Sequence, residues 1–304
     1  MPQTPGGCAV TDEPFIDPIE SLLQVLDLAE SEARTTEDIF TGVSQPMPLG
    51  RVYGGQVLAQ SIVAASRTVE DDRTPHSMHG YFLRPGDADR GITFAVDRIH
   101  DGRSFSTRRT QAFQAGVPIF SMIASFQVAD EGLEHQKPMP TGIPDPETLP
   151  DVEDHLAGLH PMSKRLFTDR PVDLRHVPSP IYVTVDGEPQ PHQAVWMRTR
   201  RALPDAPAIH QAALAYLSDL TIQEPILRAH GVPWATRGLK VASLDHAMWW
   251  HRPGRVDEWM LYVQQSPSAR GGRGLANGRI YQRSGELLAS VAQEIMVRAP
   301  EPAE

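Results

Sequence analysis

A six-residue pattern occurs twice in this chain and limits what it can fold into. "YFLRPG" (Tyr81 to Gly86) returns as "WWHRPG" (Trp249 to Gly254), 168 residues later. Gly116 has a counterpart in Gly285, 169 residues later, each ahead of a final apolar strand pattern. An Arg-Pro-Gly turn is common by itself. Around both copies, however, the elements come in the same order, which points to a duplicated unit. The first copy opens with a small-residue helical pattern, "GGQVLAQSIVAASRTV". It continues through the strand patterns "HSMHGYFL", "GITFAVDRIHD", "SFSTRRTQAFQ" and "PIFSMIASFQV", separated by turn chemistry. In the last of these Phe120, Met122, Ala124 and Phe126 share one face. The pattern predicts a helix followed by a four-strand antiparallel meander, an α+β unit.

The second copy begins with strand-like "YVTV" and "QAVWMRTRR" and the helical run "APAIHQAALAYLSDLTIQEPIL". Strand patterns follow in "KVASLDHAMWWH", "EWMLYVQQSPSA", "GLANGRIYQR" and "ELLASVAQEIMV". At 304 residues the chain has room for both units. The expected division is a flexible tail over 1–18, a first unit over 19–130, a linker over 131–165 and a second unit over 166–300. The first unit opens on an amphipathic helix carrying Ile19, Leu22, Leu23, Val25, Leu26 and Leu28. The linker is assigned from "PMPTGIPDPETLPDVED", rich in proline and acid. Gly54 and Gly55, ahead of a small-residue helix, predict close packing against other backbone.

The net charge of −10 argues against a nucleic-acid surface, which needs clustered Lys and Arg. A single cysteine, Cys8, allows no disulfide within the chain and suits a reducing compartment. No stretch approaches the roughly 18 apolar residues of a membrane span. "MPQTPGGCAVTDEPF" lacks the features of a signal peptide, and "RAPEPAE" carries no peroxisomal tripeptide. The expected location is the cytoplasm.

The two copies are not chemically equal. At the repeat offset Ser243 falls opposite Pro75, Asp245 opposite Ser77, and Gln293 opposite Ala124. A symmetric core has no use for that difference; a one-sided site does. No G-x-S-x-G elbow occurs, and no Walker or dinucleotide glycine pattern. Cys8 lies in the tail, away from any credible nucleophile site. His246 and His251 lack a third ligand, so no metal is expected. Asp245 and His246 are strand neighbours pointing to opposite faces, which favours a supporting role over an Asp-His dyad.

Taken together, "YGGQVLAQSIVAA", "HSMHGYFLRPGD", "DGRSFSTRRTQAFQAGVPIFSMIASFQ", "LAYLSDL", "SLDHAMWWHRP" and "LLASVAQEIMVR" resemble the acyl-CoA thioesterase II family, over nearly all of the chain beyond residue 20. The resemblance implies an α+β double hotdog: two long helices, each wrapped by an antiparallel sheet, with the sheets joined edge to edge. It implies hydrolysis of fatty acyl-CoA to free acid and CoA, with no cofactor. By motif position the catalytic residues are Asp219 in "LSDL", Ser243 in "SLDH" and Gln293 in "VAQE". Ser243 takes a position where other members carry Thr, retaining the hydroxyl.

A thioester is already activated, so the enzyme needs a positioned water, a proton acceptor and a donor for the carbonyl oxygen. Asp219 suits the base, and Ser243 and Gln293 suit the water, since hydroxyl and amide both donate and accept. Read alone, Asp219 is equally a capping or solvent-facing acid, and the other two are ordinary strand residues. A backbone N–H near a helix end is the natural oxyanion donor. CoA phosphates call for arginine at the mouth, and Arg252, Arg270, Arg273 and Arg108 are candidates. Met248, Trp249 and Trp250 read as core with a share in the acyl tunnel. The alternative is a non-catalytic acyl-CoA binding protein of the same fold. Two hotdogs in one chain supply their own pairing, and a homo-oligomer stays open.

Overall fold

The computed structural model describes residues 17–31, 36–48, 50–156 and 170–300. Nearly all of the tail, with Cys8, and residues 157–165 of the expected linker lie outside these. The first unit contains helices α1 (Pro18–Leu26) and α2 (Gly54–Ser66). Its strands are β1 (Ala29–Glu30), β2 (Asp38–Gly42), β3 (Arg73–Phe82), β4 (Ile92–Asp101), β5 (Phe105–Gln114) and β6 (Val117–Val128). A short helix α3 (Val152–His155) lies in the connection. The second unit contains β7 (Val172–Val177), β8 (His192–Thr199), α4 (Pro207–Ser218) and α5 (Glu224–Ala229). It continues through β9 (Lys240–Ser243), β10 (Asp245–Trp250), β11 (Met260–Arg270), β12 (Arg273–Gln282) and β13 (Leu287–Arg298).

The strands form one 13-stranded sheet in the order β1-β2-β4-β5-β6-β3-β10-β13-β12-β11-β8-β7, with β9 on β13. All pairings are antiparallel, and β3 against β10 joins the two halves. Its register carries the repeat. His79 pairs with Ala247, its own counterpart at the offset of 168, so the pairing maps onto itself when the units are exchanged. Helices α2 and α4 pack together on one face, and a continuous apolar core joins both helices to both half-sheets. This is the expected α+β double hotdog.

Local chemistry explains the elements. Asp17 caps α1 by accepting from the backbone N–H of Ile19 and Glu20, with Pro18 in the first turn. Ala59, Ala64 and Ala65 are fully buried in α2, where small side chains allow close approach. The β5–β6 hairpin turns through Ala115 and Gly116, both at positive φ, as a two-residue turn matched to strand twist requires.

Three expectations need correction. The first unit is not a simple meander: β4, β5 and β6 are, but β3 lies on the far side of β6. That puts β3 at the join. "YVTV" is irregular, and the edge strand is β7, upstream of it. Tyr182 is buried there, and backbone N–H groups of Trp234 and Ala235 bond the carbonyls of Ile181 and Tyr182. The helical run 206–227 breaks into α4 and α5. Pro225 lacks the N–H that a continuous helix would donate to Thr221, so the chain turns and restarts at Glu224.

The connection is not free of contacts. Met139, Ile143 and Leu149 pack on the outer face of the second half-sheet, over Trp196, Trp259, Leu261 and Tyr281. Trp196 Nε1 donates to the Pro144 carbonyl and Trp259 Nε1 to Glu147, both at 2.9 Å. The first unit's outer face leaves Tyr81 and Ile123 exposed. Among the described residues no helix is long and apolar enough to cross a membrane.

Candidate active site

Asp219, Ser243 and Gln293 come from three elements and meet in the core of the second unit. Gln293 Nε2 donates to Asp219 Oδ1 at 2.9 Å and to Ser243 Oγ at 2.7 Å. Ser243 Oγ donates to Asp219 Oδ1 at 3.3 Å. Asp219 and Gln293 are buried, while Ser243 is partly accessible. The groups therefore bond one another directly. Asp219 is the C-cap of α4, one residue beyond its last turn, and not inside a helix as the apolar run suggested.

A bulge brings Ser243 into the cluster. Ser243 pairs with Ile295 and Ala247 with Ala292, so β9–β10 spans four steps where β13 spans three. One extra residue reverses the alternation, and Ser243 and His246 turn to the same face although three apart. Asp245 points the other way and accepts from the Glu294 backbone N–H at 2.7 Å. The imidazole Nδ1 of His246 bonds the amide oxygen of Gln293, and its Nε2 lies 3.1 Å from Ser218 Oγ.

The first unit supplies the rest of the wall. The Gly55 backbone N–H, in the first turn of α2, donates to the Asp219 carboxylate. A Cβ on Gly54 would lie 2.7 Å from Asp219 Oδ2, and one on Gly55 would overlap the Tyr216 carbonyl. The paired glycines thus admit the start of one helix to the end of the other. Backbone approach was expected of them, but the partner is a helix end, not a sheet. Tyr53 Oη donates to the Tyr216 carbonyl at 2.8 Å and Tyr262 Oη to that of Ser218 at 2.9 Å. Both satisfy carbonyls left open where α4 stops.

Electrostatics follow from burial. Desolvation raises Asp219 from 3.8 to about 6, against the lowering effect of Gln293, the Gly55 N–H and Ser243. Its donors are the amides of Gln293 and Gln223, a backbone N–H and a hydroxyl, all neutral. Desolvation lowers His246 to about 4, so the imidazole is uncharged near neutral pH. The arrangement is an acid that ionises around pH 6 among neutral donors, so that above this pH it is a carboxylate able to accept a proton.

Known proteins share this organisation. Residues 162–296 match the acyl-CoA thioesterase profile, and residues 43–127 match the acyl-CoA thioesterase N-terminal domain. Acyl-CoA thioesterase 2 of Haemophilus influenzae is 35% identical over 94% of this chain and 99% of its own. The chain belongs to the acyl-CoA thioesterase II family. Human acyl-coenzyme A thioesterase 8 is 36% identical over 98% of this chain and 95% of its own. Among solved structures, an acyl-CoA thioesterase II from Mycobacterium marinum is 41% identical, with a TM-score of 0.73 over 93% of this chain and 99% of that one. A hot dog fold protein from Alicyclobacillus acidocaldarius, at 18% identity and TM-score 0.74, shares the fold.

The remaining residues singled out by family resemblance are scattered. Met248 is fully buried on the His246 face of β10. Trp249 is not on that face: it stacks edge-on against His79 on the outer side of the sheet. Trp250 returns to the inner side and is buried. Arg270 and Arg273 meet at a cavity of about 230 Å³ with Ile226 and His230, lined by none of the three clustered residues. Arg273 also pairs with Glu294 at 3.0 Å. Arg252 lies elsewhere, against the Leu287 carbonyl. Arg108 is no mouth residue: it is buried, with its donors on Thr68, His100, Thr107 and Asp101. Sequence reading missed Tyr53 and Tyr262, and only the Gly54–Gly55 pair hinted at the first unit's share.

Proposed function

We propose that the protein hydrolyses acyl-CoA to the free carboxylic acid and CoA, using a water activated at Asp219, Ser243 and Gln293. The observation carrying this reading is a buried carboxylate, raised to about 6, that meets a hydroxyl and an amide from distant strands. In this reading Ser243 and Gln293 hold the water. Asp219 accepts its proton as oxygen attacks the thioester carbonyl, and the proton then passes to the departing thiolate as the C–S bond breaks. The chemistry belongs to the second hotdog unit, 166–300, with the first, 19–130, lending the start of α2 across the 131–165 connection.

Purified protein supplied with palmitoyl-CoA and a thiol reagent should release CoA continuously. Asp219→Ala should release it at least about a hundredfold more slowly, the scale of a lost general base. Saturable binding without CoA release would instead make the protein a non-catalytic acyl-CoA binder. A folded Asp219→Ala variant with full turnover would remove the assigned base. Cytoplasmic location belongs to the same proposal, supported by the single cysteine. So does a homo-oligomer, supported by the exposed Tyr81 and Ile123 and tested by light scattering.

A further inference from the structure

We infer that His246 is a positioning residue, which holds the Gln293 side chain with its NH2 group toward Asp219 and Ser243 and its oxygen turned away. This rests on the proposed role of Gln293. The oxygen and nitrogen of an amide have nearly the same shape, so neighbours decide which end points where. On one side of Gln293 are Asp219 Oδ1 and Ser243 Oγ, and on the other is the imidazole Nδ1 of His246. His246 is buried and uncharged near neutral pH, so its ring carries one N–H. With that hydrogen on Nδ1, the ring donates to the Gln293 oxygen and Nε2 is left as acceptor for the Ser218 hydroxyl, at 3.1 Å, which turns to it from the Ala215 carbonyl, 2.8 Å away on the other side. With it on Nε2, lone pairs of Nδ1 and the amide oxygen would face each other. The amide would then turn and press its oxygen against the Asp219 carboxylate. Tautomer and amide orientation are therefore set together.

The repeat provides an internal control. The counterpart of Gln293 is Ala124, and the counterpart of His246 at the offset of 168 is Met78. Met78 and Ala124 lie directly opposite each other on β3 and β6, both buried. Packing in the same fold is thus satisfied by methionine at this position. The histidine occurs where the glutamine occurs, and both are absent together.

Two substitutions separate donation from shape. His246→Phe keeps a ring and removes the donor, whereas His246→Asn loses volume and keeps an N–H near the Nδ1 position. We expect kcat to fall roughly tenfold to a hundredfold in His246→Phe with KM within about threefold, and to fall less in His246→Asn. A packing role predicts the opposite order, and that order, or unchanged kcat in folded His246→Phe, overturns the inference. If His246→Phe does not fold, His246→Leu, which likewise lacks the donor, decides when measured alone and in a Gln293→Ala background. No additional loss there supports action through Gln293, and an independent multiplicative loss overturns it. Gln293→Ala alone, measured in parallel, keeps the two claims apart. Wild-type turnover in that variant removes the role proposed for Gln293 itself, whereas its loss alongside indifferent His246 variants removes only this inference.

Discussion

The two units differ most at the ends of their central helices. In the first, α2 ends at Arg67, and just beyond it the Thr68 carbonyl and hydroxyl receive the buried guanidinium of Arg108 from β5. In the second, α4 ends at Asp219, which receives the amide of Gln293 from β13. The two slots are related through the sheet. Arg108 lies opposite Ala124, and the corresponding cross-strand pair is Ala276 opposite Gln293. Large and small have exchanged strands, so one slot holds a cation with fixed partners and the other an amide that meets an acid. A single scaffold thus accommodates a structural plug or a reactive cluster at the same place. The difference rests on one pair of cross-strand residues and on what caps the helix.

Exchanging helix-end character should expose this asymmetry most strongly. Asp219→Asn keeps the shape and removes the proton acceptor, so kcat should fall at least about a hundredfold; wild-type kcat should itself decline about tenfold per pH unit below about 6. A pH-rate profile flat down to pH 4 would dissociate Asp219 from the rate. Next in size, Arg108→Met leaves the Thr68 and His100 carbonyls without their buried donor and should cost roughly 2–4 kcal/mol of stability, read by urea denaturation. The kcat of its folded fraction should be unchanged.

A smaller effect has the opposite sign. Asp219 titrates at about 6 when folded, above its ordinary 3.8, so ionisation is easier in the unfolded chain. Wild-type stability should therefore drop as pH rises from 3.8 toward 6 and level off above. Asp219→Asn escapes that loss, and should be more stable by at most about 3 kcal/mol above pH 6, with no gain below 3.8. A destabilised Asp219→Asn at pH 8 would contradict the desolvation account. Smallest of all, Arg67→Ala at the first helix end should change stability by about 1 kcal/mol or less and leave kcat alone, since its ion pair with Asp27 is exposed and its other bond is a single one to the Leu28 carbonyl. A clear kcat effect there would mean that both helix ends serve the reaction.

Much of the fold was legible because it follows from local pattern. Alternation along β6 and small-residue periodicity in α2 do not depend on distant parts of the chain. The turn at Ala115 and Gly116 is likewise local, set by two adjacent residues at positive φ. The failures came where local pattern was indifferent. Residues 206–227 read as one helix because its apolar and small side chains suit a helix on either side of the break, and the weight of Pro225 was missed. "YVTV" has strand composition, yet it is irregular, with Tyr182 buried and Val183 and Thr184 exposed. The chemistry was less legible still: Ser243 and Gln293 are unremarkable in their own strands, the repeat marked them only as polar where the first copy is not, and family resemblance alone gave them roles. Alternation in β10 sends Trp249 outward against His79, away from Met248.

Sequence alone determined that the chain holds two α+β units in tandem and that polar residues of the second copy are replaced by smaller or less polar ones in the first. Both follow from periodicity and from comparing one half with the other. Tertiary structure decided that β3 meets β10 with His79 on Ala247, which brings the start of α2 to the end of α4. It also decided that a bulge after Ser243 turns that hydroxyl and His246 to one side. Strand partner and register are chosen by how whole faces pack, and residues far apart along the chain carry no local mark of which neighbour they will meet.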